Sequence, residues 1–233
     1  MNNIILITGA SKGLGRAVAR IAARQRHSLI INARRADEMR DAERELSAFT
    51  EVLAIPGDVS EIAEDIAGRA IERFGRVGVL INNASELGPS PMPPLELHPW
   101  ESLLRIYRVN VVAPLHLAAL VLPSMKARQR GTIINITSDA GVNAYRGWGG
   151  YGSSKAALEH ASRVLAAELE GSGVRVFVVD PGDMNTEMHR LAEPGVDLSR
   201  LADADDVAPA IVELFDDPRP FARVEAQRVE AVR

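Results

Sequence analysis

Short, unbroken apolar runs alternate with longer amphipathic stretches along most of the chain. Six runs rich in Ile and Val stand out, at 3–7, 28–32, 52–55, 77–81, 132–136 and 175–179. Each has four or five residues. Continuous apolarity over that length, rather than alternation, suits parallel strands covered on both faces. The segments between them are long enough for crossover helices. Leu14, Val18, Ile21 and Ala22 recur at helical spacing, and 101–128 and 151–170 carry the two longest helical patterns. The series reads as βαβ units and predicts an α/β fold, a doubly wound parallel sheet forming a single domain over 1–233.

Two connections break the rhythm. The segment 86–100, ELGPSPMPPLELHPW, holds five prolines, which forbids helix through most of its length and predicts a stiff surface loop after the fourth strand. The segment 183–206 follows the sixth strand. Both leave the carboxyl ends of strands, where ligands sit in open α/β sheets. A pocket wall and a substrate lid over 183–206 are expected, against the plainer alternative of two ordinary connections. Asp203, Asp205 and Asp206 read as a helix start leading into Val207 and Ile211.

Composition narrows the function classes. At 233 residues, 46% apolar and 25% charged, the chain can bury a full globular core. A net charge of -4 gives no reason to expect a nucleic-acid partner. Without cysteine there is no disulfide framework, thiolate metal site or cysteine nucleophile, which fits a reducing cytoplasm. The N-terminal apolar run is too short for a signal core, and no run approaches the roughly 18 residues of a membrane span. The five histidines are scattered without the pairing a metal site needs. A cytoplasmic protein with no membrane partner and no metal is expected.

The candidate chemistry starts at LITGASKGLGRAVA, where Gly9, Gly13 and Gly15, with Ser11, Lys12 and Leu14, fall between the first strand and the first helix. Glycines there permit a tight turn and let backbone approach a pyrophosphate at a helix N-terminus. A second stretch, RGWGGYGSSKAALEH, sets Tyr151 four residues before Lys155, which places both on one helical face. The glycines ahead of Tyr151 read as slack that lets the loop bring substrate to the phenol. At the end of the second strand, Ile31-Asn32-Ala33-Arg34-Arg35 offers cations rather than the carboxylate that would hold both ribose hydroxyls of NAD. Asp37 reads instead as part of the next helix start. A guanidinium can grip a phosphate in bidentate fashion, so NADP(H) is expected over NAD(H).

The glycine spacing resembles that of the short-chain dehydrogenase/reductase family, and the likeness runs from about Ile4 to Phe215. The resemblance implies a set of roles. Lys12 is similar to a 2'-phosphate contact, and Asp58-Val59 to the pair that holds adenine. Asn82-Asn83-Ala84-Ser85 is similar to the Asn-Asn-Ala-Gly signature, with serine in place of the last glycine. Pro181-Gly182 and Thr186 look like the nicotinamide-contacting segment. Ser138, thirteen residues before Tyr151, and Asn110 complete an Asn-Ser-Tyr-Lys tetrad. Lys155 would also bind the nicotinamide ribose, and Asn110 would help order a water that returns protons to it. Arg146-Gly147-Trp148 and the lid methionines Met184 and Met188 show a weaker likeness to sepiapterin reductase-like members. Trp148 either lines the substrate pocket or anchors its loop. The tail 218–233 lacks the glycine-bearing final strand usual in the family, so six strands are expected and the seventh is left open.

The implied reaction asks for these residue types. Hydride arriving at a carbonyl carbon requires a proton on oxygen, from Tyr151, and a polarising donor, Ser138. Bringing a tyrosine from about 10 to about 7–8 takes roughly 3–4 kcal/mol. An ammonium about 4 Å away supplies on the order of 4 kcal/mol at an effective dielectric of about 20. Lys155 is therefore expected to lower the Tyr151 pKa. The reading is an oxidoreductase moving hydride between NADP(H) and a small carbonyl or alcohol substrate, a carbonyl reductase. The alternatives are a reductase of 3-oxoacyl chains and a non-catalytic NADP-binding regulatory protein. Apolar helix faces carrying Leu115, Leu122, Leu158 and Leu165 suggest a homo-oligomer, a dimer or tetramer.

Overall fold

A computed structural model describes residues 3–227, and each of the six apolar runs forms a strand. They are β1 (Ile4–Thr8), β2 (Ser28–Ala33), β3 (Val52–Pro56), β4 (Val79–Asn82), β5 (Gly131–Ile136) and β6 (Val174–Asp180). With β7 (Phe221–Glu225) they make one parallel sheet of order β3-β2-β1-β4-β5-β6-β7. Both sheet faces are covered, so consecutive strand residues alternate between two cores. Ile5, Ile7, Leu29, Ile31 and Phe177 enter one, beneath α1 (Gly13–Arg24), α2 (Ala36–Leu46) and α8 (Ala204–Glu213). Leu6, Ile30, Leu80, Ile133 and Val176 enter the other, beneath α3 (Ala63–Phe74), α5 (Ala113–Ala127) and α6 (Gly149–Glu168). Each such Ile or Leu contributes about 1.5–3 kcal/mol by burial.

The seventh strand, left open by the sequence, is present. Its register runs from Val176↔Phe221 to Asp180↔Glu225. No glycine is required, because Phe221 packs on one core while Ala222 and Val224 pack on the other. Arg223 turns toward two carboxylates at the carboxyl end of the sheet, Asp180 at 3.2 Å and Glu159 at 3.2 Å. Of the tail, 228–233 lies outside the described residues.

The long helical pattern at 101–128 is not one regular helix. It divides into α4 (Trp100–Tyr107), a π-helical turn (Arg108–Val112) and α5. The stretch Trp100–Ala127 has 28 residues and an 18-residue window of mean hydropathy 1.5, long and apolar enough to cross a membrane. Here it packs as a core helix, with Leu117, Val121 and Met125 buried. A capping box between Asp203 and Asp206 starts α8, which accounts for that acidic run by helix capping.

Candidate active site

The turn between β1 and α1 is built around its glycines. A Cβ on Gly9, whose φ is +66°, would lie 2.8 Å from Asn83 Nδ2 and 2.9 Å from Ala84 Cα. One on Gly15 would lie 2.4 Å from the Gly9 carbonyl oxygen. Thr8 locks the adjoining strand end, its Oγ1 accepting from the Asn83 and Ala84 N–H groups at 3.0 Å each. Asn83 in turn donates to the Thr8 and Gly9 carbonyls. In front of Gly13, φ +53°, the nearest atom a Cβ would meet is Thr186 Cγ2 at 3.9 Å. No side chain caps α1, so its first N–H groups face an open cradle of the kind that receives a pyrophosphate.

This cradle opens into a cleft of about 670 Å³ at the carboxyl ends of the strands. Ser11, Lys12, Leu14, Arg34, Arg35, Asp58, Val59 and Ala84 line one half. Ser138, Tyr151, Lys155, Trp148, Pro181, Gly182, Met184, Thr186 and Met188 line the other. Gly15 and Asn110 are not among its lining residues.

Tyr151 sits in the first turn of α6 and is buried, as is Lys155. The ammonium lies 5.4 Å from the Tyr151 ring centroid and donates to the Ile136 carbonyl at 2.9 Å. Burial pushes the Lys155 pKa down to about 7. Burial also raises the Tyr151 phenol well above its usual value, outweighing the hydroxyls of Ser85 and Ser138, which act in the opposite sense. The expected lowering of Tyr151 by Lys155 is therefore corrected. Desolvation disfavours both charged forms, and the protein alone holds the phenol protonated.

Asn110 lies in the π-helical turn, fully buried. Its amide donates to Glu86 O and Ser154 Oγ at 2.9 Å each, and accepts from Glu86 N at 2.7 Å and Ser85 Oγ at 3.2 Å. Those four bonds exhaust the amide. Its side chain ties the turn after β4 to α6. The glycines near Tyr151 are likewise not slack. A Cβ on Gly149 would meet Leu95 at 2.9 Å, one on Gly150 the His98 ring at 2.7 Å, and one on Gly152 the Ala140 carbonyl at 2.5 Å. They let loops press against the helix start.

Trp148 stands edge-on to Tyr151 with ring centroids 5.8 Å apart. Leu87, Ala140, Ala192, Met92 and Met188 complete an apolar box around the phenol. Two of these, Met188 and Ala192, come from α7 (Glu187–Ala192) in the segment that follows β6. That segment is held at both ends. Lys12 pairs with Glu187 at 2.8 Å, and Ser90 Oγ donates to the Leu191 carbonyl at 2.6 Å. Met184 bridges to Ala202 and packs on the core beneath α1 as well as lining the cleft.

Three cations of the cleft, Lys12, Arg34 and Arg35, hold carboxylates. Arg34 pairs with Glu86 at 2.9 Å, and Arg35 with Asp37 at 3.1 Å and Glu38 at 3.3 Å. Arg105 from α4 pairs with Asp58. Burial raises the Asp58 carboxyl, yet hydrogen bonds from Ser60 and Arg105 outweigh it and hold the pKa below the usual carboxylate range. Three residues in this arrangement escaped sequence reasoning. Glu38 accepts from Ser11 Oγ at 3.0 Å and lines the cleft, but one turn of helix separates it from the strand end where an acid was sought. Arg105 comes from a helix remote in sequence. Ser85 had a signal, its departure from glycine.

A parallel, doubly wound sheet with a glycine cradle at its first crossover and a buried Tyr-Lys helix beside it defines a nicotinamide-dinucleotide oxidoreductase architecture. The family model for short chain dehydrogenase matches residues 3–196. An uncharacterised oxidoreductase of Listeria monocytogenes is 34% identical over 192 residues, covering 80% of this chain and 76% of the relative. A short chain dehydrogenase from Pseudomonas syringae superposes with TM-score 0.90 at 30% identity, over 97% of this chain and 94% of that one. One from Shigella flexneri, complexed with NADP, gives 0.86 at 27% identity over 97% and 98%. An NAD+-bound xylitol dehydrogenase shares the fold, at TM-score 0.85 and 21% identity, over 96% of each chain. The chain belongs to the short-chain dehydrogenase/reductase family, and it is an oxidoreductase that binds NAD(P).

Proposed function

We propose that the chain is an NADP-dependent reductase of small carbonyl compounds whose reacting carbon is flanked by apolar groups. The observation that carries this reading is the convergence of Ser138, Tyr151 and Lys155 on the cleft that the glycine cradle opens, against an apolar box. The cofactor, when bound, supplies the hydride exchanged with the carbonyl carbon. Tyr151, protonated because burial raises its pKa, delivers the proton to the substrate oxygen. Ser138 donates a hydrogen bond to that oxygen, which is worth most in a water-excluded site. Lys155, poised near neutrality, would hold the cofactor ribose and pass a proton to the phenolate, regaining its own from water entering the cleft it lines. Asn110 acts as a positioning residue through Glu86 and Ser154.

Lys12, Arg34 and Arg35 would hold the 2'-phosphate, exchanging carboxylate partners for it. The neutral phenol is the form that reduction requires, an acid already loaded near neutral pH. The segment 183–206 serves as the substrate lid, with Trp148 and Met188 as contacts. NADPH and NADH oxidation, measured against a panel of ketones, aldehydes and diketones, tests the reading. NADPH should show the lower KM, and equal values for the two cofactors would refute the preference. Tyr151→Phe should retain NADPH binding yet lose turnover by about 10²–10⁴-fold. Turnover above a few per cent would place the acid elsewhere.

A further inference from the structure

The opposite end of the sheet carries a second cavity, of about 210 Å³, lined by Arg76, Arg128, Arg130 and Arg175 with Asn3, Thr132 and Phe215. It lies where strands begin. Arg76 precedes β4, Arg128 and Arg130 precede β5, and Arg175 is the second residue of β6. The chain brings these residues together from three separate crossovers, so the cluster belongs to the fold and not to a run of basic sequence.

The partners of these arginines differ from those in the cofactor cleft. Arg128 donates to the Ser124 carbonyl at 3.0 Å and the Val77 carbonyl at 2.8 Å. Arg175 donates to Thr132 Oγ1 at 2.7 Å, to the Phe215 carbonyl at 2.8 Å and to the Asp217 carbonyl. These acceptors orient a guanidinium without cancelling its charge. Among the described residues no carboxylate forms an ion pair with Arg76, Arg128 or Arg175, whereas Arg130 is engaged by Asp216 at 3.4 Å. Burial, with Arg76 and Arg130 nearby, pushes the Arg128 pKa down. Burial does the same to Arg175, with Arg130 adding to it and Asp216 and Asp217 pulling the other way. Cations gathered this way in a chain of net charge -4 repel one another unless an anion joins them.

We propose that this cavity binds a phosphate-type oxyanion, free or as a small monoester, held by Arg76, Arg128 and Arg175. The guanidinium fork suits such oxygens. At about 210 Å³ against about 670 Å³ for the cleft, the site takes a headgroup and not a dinucleotide. It is independent of the catalytic reading.

Calorimetric titration of inorganic phosphate, and separately of glycerol phosphate, into the purified protein at constant ionic strength tests the assignment. Saturable one-to-one binding is expected, and the tighter of the two ligands identifies the source. Arg76→Gln removes an exposed side chain and should leave the thermal midpoint without phosphate unchanged. It should weaken the apparent Kd by about tenfold or more, the worth of one charge-assisted hydrogen bond. The double variant Lys12→Gln, Arg35→Gln should bind phosphate as the wild type does. The proposal is overturned if no saturable heat appears. It is equally overturned if binding persists in Arg76→Gln and disappears from the double variant, because the ion would then occupy the cofactor cleft.

Discussion

Lys155 and Glu159 stand one turn apart on the same helix and are both buried, at 2% and 3% exposure, yet their surroundings are opposite. Glu159 is charge-compensated: Thr137 donates to it at 3.0 Å, Arg163 at 3.2 Å and Arg223 at 3.2 Å. Lys155 has a single neutral acceptor, the Ile136 carbonyl. Burying a charge costs several kcal/mol unless pairing offsets it. Around Glu159 the fold supplies the pairing, and the group serves as a brace between α6, β6 and β7. Around Lys155 it withholds it, leaving an ammonium able to lose and regain a proton near neutral pH. Perturbation without a paired partner, inside a cleft, is what the proposed proton transfer through Lys155 asks for.

Breaking the uncompensated side should have the largest effect. Lys155→Met is expected to lower kcat by about 10²–10⁴-fold, read by steady-state NADPH oxidation. The same variant sharpens the contrast through stability. The folded pKa of Lys155, about 7, lies below the ordinary lysine value of 10.5, so between those values the unfolded chain binds more protons and stability rises with pH. Urea unfolding should show wild type gaining on the order of 3 kcal/mol relative to Lys155→Met between about pH 7 and pH 9.5. A flat difference would mean that Lys155 keeps an ordinary pKa.

On the compensated side, Arg223→Met strips the partner from Glu159 and Asp180 and should cost about 3 kcal/mol or more of stability. The change is visible as a lowered thermal midpoint, and Arg223→Lys should restore part of it. Because Asp180 also accepts the Gly182 N–H at 3.0 Å, the loss should raise the cofactor KM more than it lowers kcat. The smallest effect lies at the mouth of the cleft, where the Lys12–Glu187 pair is half exposed. Glu187→Gln leaves Lys12 with Glu38 alone, at 3.7 Å, and should lower the NADPH KM by a few-fold at most, with NADH unaffected, since exposed pairs are worth about 0–1 kcal/mol. A matching change with NADH would separate Lys12 from the 2'-phosphate.

The sheet was legible because its strands are buried on both faces, which leaves unbroken apolar runs such as Ile4–Ile7. The edge strand β7 was not, since Phe-Ala-Arg-Val-Glu mixes core residues with the arginine that serves Asp180 and Glu159. In the cleft, the glycine turn and the Tyr-Lys pair were legible as local spacings. The charge state of that pair was not, because desolvation is a property of everything packed around α6. The same limit hid Glu38, which lines the cleft, and Arg105, which pairs with the cleft residue Asp58, since both stand on helix surfaces whose pattern looks like ordinary solvated charge.

The π-helical turn at Arg108–Val112 carries one more consequence, concerning insertions and deletions. Such a turn amounts to one residue added to an ordinary helix. Removing one residue from it lets α4 and α5 join as a regular helix with both apolar faces still in phase. The core beneath α5 would survive that deletion. What would disappear is the inward aim of Asn110 and, with it, the tether between the loop after β4 and the helix of Tyr151. Loss of a single residue at this point would thus uncouple the activity of the protein from its ability to fold.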